Sequence, residues 1–380
     1  MNIKSIKEAG DLKGKRVITR FDFNVPIKDG RVVDDLRIKK SIATLSYLKE
    51  SGAKIIIISH IEGKGGAFLT LEAVSEYLNT LMPVKFVKNF LDNDTALLAV
   101  TGMNDGDVIL FDNLRASEGE KKNDTEFSQY LAKFGDIYVN DAFSVSHREH
   151  ASVVGIPKYL PHYAGLNLIE EIRNLDKVTS PEHPFIFVLG GAKFDTKLPL
   201  FEKFISKADS IFVCGALMNN FFKEQGLNVG KSLVSDGNFN LIDLAKGQKI
   251  ILPIDVVVKN ENGSEVKLVV NVGDDDVIVD VGPASLEKLA PIISSAKLVL
   301  WNGPLGNYEE GFKDQTIELA KLIMDSKVHA VLGGGDTTAA VSSLGLDTNS
   351  SDSPIFVSTG GGAMLEYLLN ETLPGIDALR

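Results

Sequence analysis

Short, continuous apolar runs that recur between amphipathic stretches constrain this chain more than any other feature. In the first half the strand-like runs are Arg16–Phe23, Lys54–Ser59, Val84–Val87, Val108–Phe111 and Ile137–Asn140. Helical periodicity separates them at Ile38–Glu50, Leu71–Leu81 and Thr125–Phe134. A strand that is apolar on both faces must be covered on both faces, so the alternation predicts a parallel sheet wrapped by helices. The second half repeats the pattern at Phe185–Leu189, Ser210–Cys214, Lys249–Val258, Val266–Val270, Val277–Val281, Lys297–Leu300, Ala330–Leu332 and Ile355–Val357. The turn signal NENG, Asn260–Gly263, predicts a hairpin with Glu265–Val272 as its second arm. Apolar residues at helical spacing mark Gly165–Val178 as one helix, which runs into the breaker-rich TSPEHP.

The expected fold class is therefore α/β, with two doubly wound, Rossmann-like parallel-sheet domains facing each other across a cleft and joined by a hinge helix. The expected boundaries are 1–164 for the N-terminal domain, 165–180 for the hinge helix, 181–360 for the C-terminal domain and 361–380 for a closing segment. A length of 380 residues agrees, since roughly 100–200 residues make one domain. The net charge of −11 argues against nucleic acid or an anionic membrane as partner. No apolar run is long enough to span a bilayer, and the N-terminus has no apolar core of the signal-peptide kind. Cys214 is the only cysteine, which excludes an internal disulfide and a cysteine-based zinc site and fits a reducing cytoplasm. Nothing in the sequence demands an oligomer, so a monomer is expected.

In open parallel sheets, ligands sit beyond the carboxyl ends of the strands. Arg20, Asp22 and Asn24 end the first run, and Arg37 opens the next helix. His60 follows IIIIS, Arg115 follows VILFDN, and Asp141, His147 and Arg148 follow IYVN. A guanidinium grips phosphate or carboxylate with two parallel bonds. Arginines and a histidine at successive strand ends point to a site for a small anion. After Pro181 the only arginine is Arg380, and the second half relies on lysine.

There the strands end in glycine instead: Gly190-Gly191, Gly215, Gly303, Gly333–Gly335 and Gly360–Gly362. Glycine turns that lead into helix N-termini make phosphate cradles. Lys193 and Lys197, in VLGGAKFDTK, supply point charges at such a turn, and Pro199 places the helix start after Lys193. Asp336 in GGGDT is either a Mg²⁺ ligand or the N-cap of the helix that follows. GLNVGKS, Gly226–Ser232, resembles a P-loop but is one residue short, because Gln225 stands where its first glycine belongs. No G-x-G-x-x-G follows any strand, which counts against a dinucleotide dehydrogenase. An anion site in each half suits phosphoryl transfer, which needs alignment, charge neutralisation and dryness more than covalent help.

These residues together resemble the phosphoglycerate kinase family over essentially the whole chain. The resemblance rests on RFDFNVP (Arg20–Pro26), DDLRI (Asp34–Ile38), SH (Ser59–His60), DNLR (Asp112–Arg115), YVNDAF (Tyr138–Phe143) and HREH (His147–His150). It continues through LGGAK (Leu189–Lys193), WNGPLG (Trp301–Gly306), GGGDT (Gly333–Thr337), STGGGA (Ser358–Ala363) and LPGIDAL (Leu373–Leu379). It implies reversible transfer of a phosphoryl group from 1,3-bisphosphoglycerate to Mg-ADP, giving 3-phosphoglycerate and Mg-ATP, with hinge closure. It implies a glycerate-ligand site of Asp22, Phe23, Asn24, Arg37, His60, Gly63, Lys64, Arg115 and Arg148. It implies a nucleotide site of Lys197, Gly215, Asn302, Glu309, Gly334, Gly335, Asp336 and Thr337, with Asp336 at the Mg²⁺. Arg37, Lys193 and the helix start at Gly361 are the implied catalytic groups, and the C-terminal residues are implied to return to the N-terminal domain. The family reads His-Leu-Gly-Arg-Pro where this chain reads HIEGKGG, so Lys64 stands near the place of an arginine. A non-catalytic sugar-phosphate- or nucleotide-binding protein of the same fold is the alternative.

Overall fold

A computed structural model of the protein describes residues 3–63, 69–192, 194–237, 239–244, 246, 249–342, 344 and 353–380. The chain divides into two compact units, residues 1–173 with 372–380, and residues 174–371.

The first unit is built on a six-stranded sheet. Its strands are β1 (Arg16–Arg20), β2 (Lys54–Ile58), β3 (Lys85–Val87), β4 (Val108–Phe111), β5 (Ile137–Asn140) and β6 (His162–Ala164). They lie in the order β3-β4-β2-β1-β5-β6, and every pairing is parallel. Ile55, Ile56 and Ile57 in β2 are all fully buried, which is why that run carries no polar alternation. The expected strand Arg16–Phe23 stops at Arg20. Phe21 still donates to the Ile58 carbonyl, but Asn24 N–H then turns onto Asp22 Oδ1 (3.0 Å) and Val25 N–H onto the Phe23 carbonyl (2.9 Å). The strand β6 carries no apolar run, since His162 and Tyr163 are only partly buried, and the sequence pattern does not reveal it. The helix Leu36–Glu50 follows the strand end of β1. The C-terminal residues belong to this unit: Gly375 N–H donates to the Ser146 carbonyl at 2.7 Å, and Ile376 is fully buried.

The second unit holds another six-stranded parallel sheet and a small antiparallel one. In chain order its strands are β7 (Phe185–Leu189), β8 (Ser210–Val213), β9 (Ile250–Ile251), β10 (Asp255–Asn260), β11 (Gly263–Leu268), β12 (Val277–Val281), β13 (Leu298–Asn302), β14 (His329–Gly333) and β15 (Ile355–Val357). The parallel sheet runs β9-β8-β7-β13-β14-β15 and the antiparallel one β11-β10-β12. The expected strand Lys249–Val258 is therefore two strands in two sheets. Pro253 lies between them and cannot donate to a ladder, so β9 ends there and β10 pairs elsewhere. The hairpin expected at NENG forms, with Asn260 opposite Gly263. The P-loop look-alike is a structural corner: Lys231 N–H donates to the Asp276 carbonyl (2.8 Å), and Ser232 Oγ accepts from Ile278 N–H (2.7 Å). Cys214 is buried, and burial pushes its thiol well above the ordinary range. The division between units falls inside the single helix Leu166–Thr179. No helix among the described residues is long and apolar enough to cross a membrane.

Candidate active site

The carboxyl ends of β1, β2, β4 and β5 gather the polar residues of the first unit. Arg37, the second residue of the helix Leu36–Glu50, donates through Nη1 to Asp22 Oδ2 (2.8 Å) and to the Asn24 carbonyl (3.0 Å). Ser144 donates to the same Asp22 oxygen. Burial alone would push the Asp22 carboxyl up, but Arg37 and Ser144 hold it below its ordinary value. Arg20 is 1% exposed; its Nε donates to Ser152 Oγ (2.9 Å) and its Nη2 to His60 Nδ1 (3.1 Å). Ser152 Oγ in turn donates to the buried Glu120 carboxylate (2.6 Å). An arginine only donates, so His60 Nδ1 accepts and the ring proton sits on Nε2. Burial and the Arg20 charge hold the His60 pKa well below its usual value, so the ring is neutral. His60 Nε2 is buried and has no hydrogen-bond partner among the described residues. A buried donor without a partner is costly unless a ligand supplies the acceptor.

Arg115 lies in the turn after β4, and its Nη1 pairs with Glu62. Arg148 follows β5, and its Nε lies 3.4 Å from His147 Nε2. The pKa of His150 falls to about 4, first through burial and then through the charges of Arg115 and Arg148. That field places both guanidinium groups in one cluster. Asp22, Asn24, Arg37, His60, Arg115 and Arg148 are thus brought together. Phe23 is different: its ring is fully buried and stacks on Phe21 at 5.5 Å, leaving only backbone to face a ligand. Gly63 is partly buried at the edge of the described residues, and Lys64 lies outside them.

In the second unit, the turns after β7, β8 and β13 meet backbone against backbone. A Cβ on Gly190 would sit 2.2 Å from the Pro304 carbonyl oxygen, and one on Gly215 2.7 Å from Gly191 N. Above them is a cavity of about 670 Å³ lined by Gly191, Gly215, Met218, Val279, Leu305, Tyr308, Glu309 and Asp336, among others. Lys197 immediately precedes the helix Leu198–Ile205, in whose first turn Pro199 sits, and its Nζ donates to Asn302 Oδ1. Asn302 Nδ2 passes the link to the Gly333 carbonyl (3.2 Å). Burial lowers the Lys197 pKa to about 8. The helix starts at Leu198, after Lys193 as Pro199 predicts, and Lys193 lies outside the described residues. Gly334 takes φ +111°, and Gly335 opens the helix Gly335–Ser342. Thr337 is fully buried, and its Oγ1 has no hydrogen-bond partner among the described residues. Burial and then the Glu309 charge push the Asp336 carboxyl above its usual range. Gly361, at φ +51°, precedes the helix Gly362–Asn370.

The family model for phosphoglycerate kinase matches residues 6–371. The chain belongs to the phosphoglycerate kinase family. The phosphoglycerate kinase of Coprothermobacter proteolyticus is 40% identical over 398 residues, covering 100% of this chain and 99% of that protein. That of Dictyoglomus turgidum is 39% identical and covers 97% of this chain and 96% of that protein. Among solved structures, phosphoglycerate kinase from Coxiella burnetii superposes with a TM-score of 0.83 at 33% identity, over 99% of this chain and 98% of that one. Phosphoglycerate kinase from Pyrococcus horikoshii superposes with a TM-score of 0.85 at 29% identity, with the same coverage. The two parallel-sheet units are the phosphoglycerate kinase fold, and the activity is that family's phosphotransfer. The family implies a nucleotide substrate and a phosphoglycerate substrate.

Several residues escaped the sequence reading. Glu120, Ser144 and Ser152 join the arginine cluster only through folding, from positions with no motif to flag them, and Glu62 lies inside the HIEGKGG segment without a role assigned to it. The apolar cavity lining, Met218, Val279 and Leu305, has the sequence signature of ordinary core. Tyr308, next to the predicted Glu309, had a signal in that neighbourhood.

Proposed function

We propose that the strand-end cluster of the first unit holds 3-phosphoglycerate or 1,3-bisphosphoglycerate and that the glycine-rich turns of the second unit hold ADP or ATP. The observation that carries this reading is that each unit gathers its polar set at the carboxyl end of its own parallel sheet, where such sheets bind ligands. In the first unit, Arg37, Arg115 and Arg148 supply positive charge, and the His60 Nε2–H supplies a neutral donor. In the second, Lys197 reaches phosphate, and the turn Gly334–Thr337 offers helix N–H groups and the unpartnered Thr337 hydroxyl.

Mg²⁺ fits the second unit. Asp336 and Glu309 line one cavity, and burial and then the Glu309 charge raise the cost of ionising Asp336, a conflict that a cation relieves. No group of three or more His, Cys, Asp or Glu among the described residues could hold a metal alone, and Mg²⁺ commonly takes one or two carboxylates with the rest from phosphates. When bound, it supplies charge neutralisation at the phosphate oxygens. Asp336 is its ligand in this reading.

No general base is required. The acceptor carboxylate, with a pKa near ~4, is already ionised at neutral pH, and the reverse nucleophile is a phosphate oxygen. Arg37 and Lys193, with the helix start at Gly361, neutralise the transferring phosphoryl group. An acyl phosphate must be kept from water, so closure of the chain about the helix Leu166–Thr179 is the conformational step. The reading is completed by a monomer acting in the cytoplasm.

ATP consumption with 3-phosphoglycerate and Mg²⁺, coupled to glyceraldehyde-3-phosphate dehydrogenase and NADH, tests this. Turnover that requires both substrates supports it. A folded sample that binds the ligands without turnover would leave the non-catalytic alternative.

A pH dependence follows from Lys197. Its ammonium is present below pH about 8 and is lost as the pH rises through that value. ATP affinity measured by calorimetry is therefore expected to weaken above pH 8. Binding there should take up a proton, because a bound phosphate pulls the lysine back towards its charged form. Affinity that stays flat from pH 7 to 9.5 would remove Lys197 from phosphate contact.

A further inference from the structure

Arg115 is occupied before any ligand arrives. Its Nη1 forms an ion pair with Glu62 Oε1, and its side chain is only 8% exposed, whereas that of Glu62 is 41% exposed. The Nε of Arg115 is buried without a hydrogen-bond partner among the described residues. The backbone N–H of Glu62 donates to Asn24 Oδ1 at 3.0 Å. Glu62 thus lies against two residues placed in the glycerate-ligand site, and it contributes a negative charge to a cluster that must accept an anion.

We propose that Glu62 is an internal competitor for the anion-binding face of Arg115, so that a glycerate ligand binds by displacing the Glu62 carboxylate. The inference rests on the assignment of Arg115 to the ligand site above.

The asymmetry of burial gives the device its logic. A guanidinium that is 8% exposed is costly to leave without a counter-charge, so Glu62 compensates it in the free protein. The carboxylate is already 41% in contact with solvent and regains its hydration cheaply when displaced. Its backbone anchor on Asn24 keeps the side chain within reach, so the pair can re-form when the ligand leaves. A phosphate dianion competes better for a guanidinium than a single carboxylate does. The exchange therefore sets an affinity threshold that a phosphorylated ligand clears and a weak monoanion does not, without altering their relative affinities. Every anion that uses Arg115 carries the same penalty, and a nucleotide bound in the second unit carries none.

The test compares wild type, Glu62→Gln and Glu62→Ala by isothermal calorimetry with 3-phosphoglycerate and, separately, with ATP. Melting curves establish that each variant is folded. Glu62→Gln is expected to tighten 3-phosphoglycerate binding about fivefold, the scale of a half-exposed ion pair, and Glu62→Ala to act in the same direction. ATP affinity should not move. In an Arg115→Ala background the gain from Glu62→Gln should vanish. Equal 3-phosphoglycerate affinity in wild type and both variants would overturn the competitor role while leaving the ligand site in place. Weaker binding in both would overturn it too, and would make Glu62 a positioning residue that orients Arg115. A wild type that binds ATP but no 3-phosphoglycerate would remove the ligand-site assignment, and the competitor with it.

Discussion

Replacing Arg37 with alanine is expected to lower kcat/KM for 3-phosphoglycerate by about a thousandfold, a loss of ~4 kcal/mol in transition-state stabilisation. The geometry explains why so much should hang on one side chain. Asp22 Oδ2 and the Asn24 carbonyl both take Arg37 Nη1, at 2.8 and 3.0 Å. That pair of contacts fixes the guanidinium plane and, among the described residues, leaves Nη2 and Nε for a ligand. The helix start beneath it is also anchored, because Tyr77 donates to Asp35 Oδ2 at 2.6 Å. A preorganised donor loses little on reaction, which is where electrostatic catalysis gains most. Arg37→Lys should recover only a small part of the activity, since an ammonium restores the charge without the fork. Removing Arg37 also takes from Asp22, 8% exposed, the strongest of the charges that keep it ionised. The carboxyl pKa should rise, and the variant should be less stable at neutral pH than at acid pH relative to wild type. Steady-state kinetics against both substrates separates the possibilities. A fall in kcat places Arg37 on the transferring group, and a rise in KM for 3-phosphoglycerate alone makes it a binding residue. No change in either would reduce it to a structural partner of Asp22.

What could be read from the sequence follows from what local pattern encodes. The strands β1, β2, β4, β5 and β7 announce themselves because burial on both faces leaves an unbroken apolar run. The division of Lys249–Val258 is written in Pro253, but the isoleucines and valines on either side form one apolar run that masks it. The small strand β6 had no signal, because it is held by Tyr138 and Asn140 of β5 rather than by its own apolarity. Site residues followed the same division. His60 and Arg115 were visible because polar side chains just after apolar strands have few structural reasons to be there, and Arg37 because it opens the helix that follows the first strand. The Glu62–Arg115 pair joins residues 53 positions apart, and the Glu120–Ser152 bond residues 32 apart. Nothing local encodes such pairs; they exist only once the sheet has assembled, with β4 beside β2 and β1 between β2 and β5. The glycines were legible as turns, but their interlocking was not.

That interlocking makes Gly303→Ala a substitution expected to cost the second unit heavily. Gly303 sits at φ +94°, and a Cβ there would lie 2.3 Å from Gly190 O, 2.5 Å from Gly190 C and 3.1 Å from Gly191 N. All three atoms are backbone, so no side chain can rotate away. The neighbouring hydrogen bonds hold the same pieces in register: Gly190 N–H on the Asn302 carbonyl (2.9 Å), Gly215 N–H on the Leu305 carbonyl (3.0 Å) and Trp301 Nε1–H on the Gly303 carbonyl (2.8 Å). Relief of the clash would have to part β7 from β13, and Asn302, which holds Lys197, would move with it. The expected loss is about 3–5 kcal/mol. For a unit of this size that lowers the melting temperature by ~10 °C. ATP binding should disappear even at temperatures where the variant is folded, while 3-phosphoglycerate binding should persist, because its site is built in the other unit. Gly311→Ala is the control, since Gly311 takes φ +92° but has nothing within 4 Å of its virtual Cβ. It should cost only ~1 kcal/mol, the strain of the left-handed backbone alone. Equal losses in the two variants by calorimetry would mean that backbone strain, and not the contact between the two turns, sets the requirement for glycine at Gly303.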